Sequence, residues 1–238
     1  MKCYVLYFTL IVLTIGFSHC YNETNLKSKC GLQENSISVG DYPWVAYITL
    51  SARTYPGGTH KCMGALINER YVITSSICLM HAMKHVNIGG HQIGVERWVV
   101  HDGANVALLK LEKDVEFSDT VLPICLPFDE FKTTEKDNTF YVAGWGASSA
   151  EPKIMHNKKI DCNDDNTENK ACFEQIDKSR VCRDDQGAPV MYKTDEKWIL
   201  NGFLSSPYNI DDCAQNQSSI AVKITDDLLK WIVKVIET

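Results

Sequence analysis

Apart from Val5–Phe17 the chain has no long apolar run. It also has no basic cluster, no C-x-x-C pair, no internal repeat and no low-complexity tract. Each absence closes a route. An apolar run of 13 residues is too short to span a bilayer comfortably, so no membrane anchor is expected. A net charge of −6 with no basic patch does not favour nucleic acid or an anionic membrane surface. Without a C-x-x-C pair, zinc is a poor use for the cysteines, and neither a metal nor a cofactor is expected. No histidine and carboxylate fall into an evident nucleophile–base set with a serine.

The apolar run that does exist sits behind Lys2 and ahead of Ser18-His19-Cys20, small residues suited to cleavage. Residues 1–20 therefore read as a secretory signal peptide cut after Cys20, and the protein as secreted and extracellular. Removing Lys2 with it leaves 23 basic against 30 acidic residues, a net of −7. Ten cysteines become eight: Cys30, Cys62, Cys78, Cys125, Cys162, Cys172, Cys182 and Cys213. An even count in an exported chain reads as four disulfides, although 105 pairings are possible. Asn22 and Asn216 open N-glycosylation sequons, which suit an exported protein.

With 238 residues, the chain can hold one large all-β domain or two small ones. Residues 21–36 form a polar lead-in that includes Cys30. From Tyr42 onward short β-branched and aromatic runs alternate with turn residues: Trp44–Leu50, Tyr71–Thr74, Trp98–Val100, Val106–Leu111, Phe140–Ala143, Trp198–Leu204 and Ile220–Ile224. That rhythm indicates a β-barrel or sandwich. One helix is clear, at the C-terminal end. Thr225 can cap it, Asp226 and Asp227 suit its positive pole, and Leu228, Trp231, Ile232, Val235 and Ile236 share one apolar face.

Cys182–Val190, read C-R-D-D-Q-G-A-P-V, resembles the nucleophile loop C-x-G-D-S-G-G-P-L of the chymotrypsin/trypsin family of secreted serine proteases. Pro43-Trp44-Val45 resembles P-W-x-V, and Cys62–Ile67 resembles C-G-G-S-L-I. Pro123–Pro127 matches P-I-C-L-P, and Ala143–Gly146 matches A-G-W-G. In the family's order, and with the C-terminal helix, these stretches cover nearly all of residues 37–238. The resemblance implies two six-stranded antiparallel β-barrels with a cleft between them and a C-terminal helix. It also implies the pairings Cys30–Cys125, Cys62–Cys78, Cys162–Cys172 and Cys182–Cys213. A further family disulfide would join positions held here by Phe140 and Tyr192.

The same resemblance marks what has changed. Family enzymes need a serine hydroxyl, a histidine that takes its proton and an aspartate that orients the histidine. The T-A-A-H-C motif reads Thr74-Ser75-Ser76-Ile77-Cys78, and D-I-A-L-L reads Asn105-Val106-Ala107-Leu108-Leu109. Ile77, Asn105 and Gln186 thus stand at all three positions of the triad, and no catalytic residue of this kind is expected. Loss of one member costs roughly 10⁴- to 10⁶-fold in turnover. Asp184 replaces the glycine whose N–H faces the developing oxyanion. Its carboxylate opposes that charge, and its side chain is expected to strain the loop. Arg180 falls near the specificity-pocket position that is acidic in trypsin-like enzymes, and Ser205-Ser206-Pro207 replaces the S-W-G rim. Gly31–Trp44 contains no Lys or Arg and no I-V-G-G, so no activating cut is expected, and Asp185 must find a partner other than a new N-terminus. His81 and His85, four apart, are a candidate metal pair only if they share a helix.

The resemblance thus implies a secreted, non-catalytic serine protease homologue of the arthropod type, acting by binding another protein and expected as a monomer. Such homologues modulate proteolytic cascades of haemolymph immunity and melanisation, or occur in venom, saliva and reproductive secretions. Residues 21–36 leave no room for a clip domain ahead of the barrels, which turns the expectation toward a decoy, toxin-like or carrier role. The alternatives are an endopeptidase with residual or relocated activity and a competitive protease inhibitor.

Overall fold

A computed structural model describes residues 29–33, 42–50, 61–80, 83–129, 139–145, 153–162, 169–176, 181–194, 197–205 and 219–238. The segment read as a signal peptide, both sequons, Arg180, Pro207 and Cys213 lie outside the described residues.

Seven strands come from the first half: β1 (Val45–Leu50), β2 (Lys61–Leu66), β3 (Tyr71–Thr74), β4 (Met83–Ile88), β5 (His91–Ile93), β6 (Val95–Val100) and β7 (Ala107–Leu111). They form one antiparallel sheet in the order β5–β4–β1–β2–β3–β7–β6. The strands at its two edges, β5 and β6, are consecutive in the chain and separated only by Gly94. The sheet therefore curls until its edges meet end to end, and a single strand bent at Gly94 serves both. Counted that way it has the six strands expected, in a half-barrel rather than a fully laddered one. A Cβ at Gly94 would lie 2.3 Å from the Glu112 carboxylate, the end of an exposed side chain that can swing away, so the bend does not depend on glycine.

The second half supplies β8 (Thr139–Gly144), β9 (Lys153–Ile160), β10 (Lys170–Gln175), β11 (Pro189–Lys193), β12 (Trp198–Leu204) and β13 (Ser219–Lys223). These close into a barrel in the order β10–β13–β12–β11–β8–β9. β12 is buried at every position, and its sequence WILNGFL carries no charge to contradict that. The rings of Phe140 and Tyr192, where the family bridge would be, stand 6.1 Å apart edge to face. Apolar side chains from both sheets belong to one continuous core. At the seam, Tyr42 stands edge to face with Trp44 and Trp198, at 5.5 and 5.0 Å.

Helix α1 spans Asp226–Ile236 and follows the sequence expectation closely. The Thr225 hydroxyl accepts the Leu228 N–H at 3.3 Å, and Leu228, Ile232 and Val235 are buried with Leu229. Each such side chain is worth about 1.5–3 kcal/mol when fully buried, which fixes the helix to the body. No helix among the described residues is long and apolar enough to cross a membrane.

Three expected disulfides are present: Cys30–Cys125, Cys62–Cys78 and Cys162–Cys172. Cys182 is also disulfide-bonded, and its expected partner, Cys213, lies outside the described residues. Cys30 does tether the lead-in. Gly31 donates to the Pro123 carbonyl and accepts from the Trp198 N–H, at 2.8 and 2.9 Å. Gly31 has φ +66°, and a Cβ would come within 2.4 Å of the Trp198 oxygen, so this docking requires glycine.

Candidate functional site

The site is built around the loop before β11. After Cys182 the chain makes a 3₁₀ turn over Arg183–Asp185, with the Asp185 N–H returning to the Cys182 carbonyl at 3.0 Å. Gly187 follows at φ +78°, where a Cβ would lie 2.1 Å from the Met63 oxygen and 2.4 Å from the Thr74 hydroxyl. Only glycine lets the loop lie this close to β2 and β3. The contact is bonded on both sides, because the Met63 N–H donates to the Gln186 carbonyl at 2.8 Å and the Gly187 N–H to the Leu204 carbonyl at 2.9 Å. The loop is thus held by both barrels.

Strain expected at Asp184 is absent. The 3₁₀ turn places this half-buried residue in right-handed backbone, which any L side chain adopts. Asp185 is fully buried and resolves the question of its partner. Its carboxylate accepts the backbone N–H groups of Trp145 and, at 2.7 Å, of Cys182. These two backbone donors are among its partners and supply hydrogen bonds that a buried carboxylate requires.

Asn105, on the loop entering β7, is a second node. Its Oδ1 accepts the hydroxyls of Ser75 and Ser76, at 3.0 and 2.5 Å, and the Ile77 N–H at 3.2 Å. Its Nδ2 donates to the Ser205 hydroxyl, at the end of β12 in the other barrel. The backbone N–H of Ile77 fixes which way the carboxamide faces, because a reversed amide would set donor against donor. Ile77 is half-buried in a 3₁₀ turn over Ser76–Met80. The next residue, Cys78, brings its sulfur to 3.7 Å from the Gln186 carbonyl, a contact only, since a disulfide sulfur has no proton to donate.

Ile77, Asn105 and Gln186 therefore converge where the two barrels meet. One is a hydrocarbon and two are carboxamides, and none exchanges a proton near neutral pH.

Of the candidate histidine pair, His85 lies on strand β4 opposite Thr49, not on a helix, and His81 lies outside the described residues. His101 packs edge to face on Trp231 of α1 at 5.0 Å. No metal-ligand cluster occurs among the described residues. The sequence reading missed Ser205 as the partner of Asn105, and Tyr47 and Lys61 as neighbours of the Trp145 ring. Nothing local marks them, since each acts across a large sequence separation.

Comparison with known proteins agrees with this geometry. The trypsin family model matches residues 32–232, and the chain belongs to that family. It is 23% identical to CLIP domain-containing serine protease B9 of Anopheles gambiae, over 75% of this chain and 59% of that protein. It is 32% identical to a venom protease of Bombus pensylvanicus, over 45% of this chain and 54% of that protein. The chain thus spans less than two thirds of the length of these relatives. Among solved structures, HL collagenase superposes with a TM-score of 0.71 at 22% identity, covering 87% of this chain and 98% of its own, a likeness of fold.

Proposed function

We propose that this protein is a non-catalytic member of the trypsin family that works by binding another protein. The observation that carries this reading is the filled node at Asn105. Where the family places a carboxylate, a neutral carboxamide accepts three donors and gives its own N–H to Ser205. Ile77 and Gln186 complete a set with no proton acceptor to activate a nucleophile and no nucleophile to activate. A trypsin-like body with such a centre retains a cleft, a rigid cross-barrel joint and a surface. Binding is what those can do.

Export to an oxidising compartment fits the described disulfides, which are rarely stable in the cytosol. The relatives' names point to CLIP-domain serine proteases and a venom protease, so a modulating or decoy role in an extracellular proteolytic cascade is the reading they favour. The protein is expected to act as a monomer carrying glycans at Asn22 and Asn216.

The test uses the purified full chain with its disulfides intact. It is treated with a fluorophosphonate probe and, separately, incubated with a broad peptide library followed by mass spectrometry. Neither covalent labelling nor hydrolysis above buffer is expected. Labelling, or cleavage that persists through repeated purification, would restore the enzyme reading.

A further inference from the structure

The chain carries one Asn-Gly pair, Asn201-Gly202, and one Asp-Gly pair, Asp102-Gly103. Such pairs can rearrange unaided, because a glycine N reaches the preceding side-chain carbonyl with no Cβ in the way. By chemistry alone the Asn pair is the more reactive, since ammonia leaves a carboxamide more readily than water leaves a carboxyl group. The fold reverses that order.

Asn201 and Gly202 lie inside β12, both buried, with Gly202 opposite Val190 of β11 and Lys223 of β13. The Asn201 carbonyl accepts the Ile224 N–H at 2.8 Å, and a Cβ on Gly202 would stand 2.2 Å from the Val222 oxygen. Turning that peptide far enough to close a ring means opening the barrel. Asp102 and Gly103 are instead the exposed tip of the turn from β6 to β7. Among the described residues the Asp102 carboxyl has no hydrogen bond or ion pair, and the Gly103 N–H has no acceptor. Gly103 sits at φ +90°, and a Cβ there would meet nothing within 4 Å. Nothing ties this peptide or walls it in. The ends of the turn are held, however. The His101 N–H donates to the Val106 carbonyl at 3.0 Å and the Val106 N–H to the Ala104 carbonyl at 2.8 Å, while the His101 ring lies on Trp231 of α1.

We propose that Asp102-Gly103 is a site of spontaneous isoaspartate formation in the folded protein, with water as its co-reactant, and that the conversion weakens the Asn105 node. The Gly103 N attacks the Asp102 Cγ. A C–N bond forms, the carboxyl OH leaves as water with the amide proton, and a five-membered succinimide results. Water then adds at the main-chain carbonyl of residue 102, the original peptide bond breaks, and the nitrogen recovers its proton. The chain now runs through the Asp102 side chain, one atom longer, and the freed main-chain carboxylate replaces the lost one. Composition and charge are unchanged. The added atom falls inside the segment that the His101–Val106 bond closes, which sets where Asn105 stands against Ser75, Ser76 and Ser205.

The test holds the disulfide-intact full chain for weeks in neutral buffer at physiological temperature, then digests it for chromatography and mass spectrometry. The peptide spanning residue 102 is expected to gain a second, isobaric peak that endoproteinase Asp-N does not cut ahead of that residue. The peptide spanning Asn201-Gly202 should show no deamidation in the folded chain, yet convert first once the chain is reduced and unfolded in urea. Asp102→Glu, at an exposed position outside the Asn105 node, should slow conversion by about tenfold or more, since a larger ring must close through one further rotatable bond. The isoaspartyl fraction, separated from the unconverted protein, should unfold at lower urea, while aged Asp102→Glu should match its fresh sample. Absence of the second peak, its persistence at full rate in Asp102→Glu, or faster conversion at Asn201-Gly202 in the folded chain would overturn the site. An isoaspartyl fraction as stable as fresh protein would overturn its effect on the Asn105 node.

Discussion

Replacing Asn105 by Ala removes one acceptor that three donors share and one donor that Ser205 uses. The hydroxyls of Ser75 and Ser76 can rotate in search of other partners, but the Ile77 N–H is fixed by the backbone. A buried donor left without a partner costs about 1–3 kcal/mol, and an ordinary hydrogen bond contributes about 1 kcal/mol net. One stranded N–H and partial loss at the hydroxyls give about 2–4 kcal/mol. Asn105→Asp makes the opposite demand. The carboxylate can keep the three acceptor bonds, now charge-assisted, and Ser205 can reverse its hydroxyl to donate a fourth. The cost of burying the charge is offset, and stability at pH 7 should stay within about 1 kcal/mol of the parent.

Four donors would hold the new carboxyl below its unfolded value. Its contribution is then present above the unfolded value and lost as pH falls through the folded one. Urea unfolding with disulfides intact, at pH 7 and in the acid range, measures both variants. Asn105→Ala should unfold about 1 M earlier in urea at neutral pH, taking a slope near the upper end of the usual range. If it is as stable as the parent, or if Asn105→Asp is the worse of the two, the network does not carry the role assigned to it.

Two further outcomes follow from the structure. Gly187→Ala should be among the most damaging single changes, because φ +78° costs an L-residue about 1–2 kcal/mol before the new methyl meets the Met63 carbonyl, and loss of soluble, folded protein on expression is the readout. The Arg70 guanidinium holds the Glu96 carboxyl below its ordinary range, so Glu96→Gln should lower thermal stability slightly at neutral pH, and the difference from the parent should vanish as acid protonates Glu96; a gap unchanged with pH would remove charge as the cause.

Much of the architecture was legible because it is written locally. Thr225, the two aspartates after it and the apolar spacing of α1 lie within one short segment. β12 announces itself as an uncharged, mostly apolar run. Other features are settled only by contacts between distant residues. His85 looks like a helix partner of His81 until pairing with Thr49 makes it part of a strand. No sequence signal marks Gly94, yet the two edge strands of the first sheet meet there. Substitutions at Ile77, Asn105 and Gln186 could be seen one at a time, but not that a serine 100 residues away would complete the Asn105 node. Strain at Asp184 is expected from its place in the motif, whereas the chain takes a 3₁₀ turn there that accepts any side chain.

The ring contact between Phe140 and Tyr192 alters how the second barrel responds to its surroundings. A sulfur bridge between β8 and β11 would be open to strong thiol reductants and unmoved by modest heating. An edge-to-face aromatic pair behaves in reverse: thiols leave it alone, while warming or denaturant loosens it in step with the rest of the core. Partial reduction should therefore loosen the Cys30 lead-in without unzipping that seam, and only a molecule both cut behind the lead-in and reduced at Cys30–Cys125 can shed its N-terminal piece while still presenting an intact second barrel.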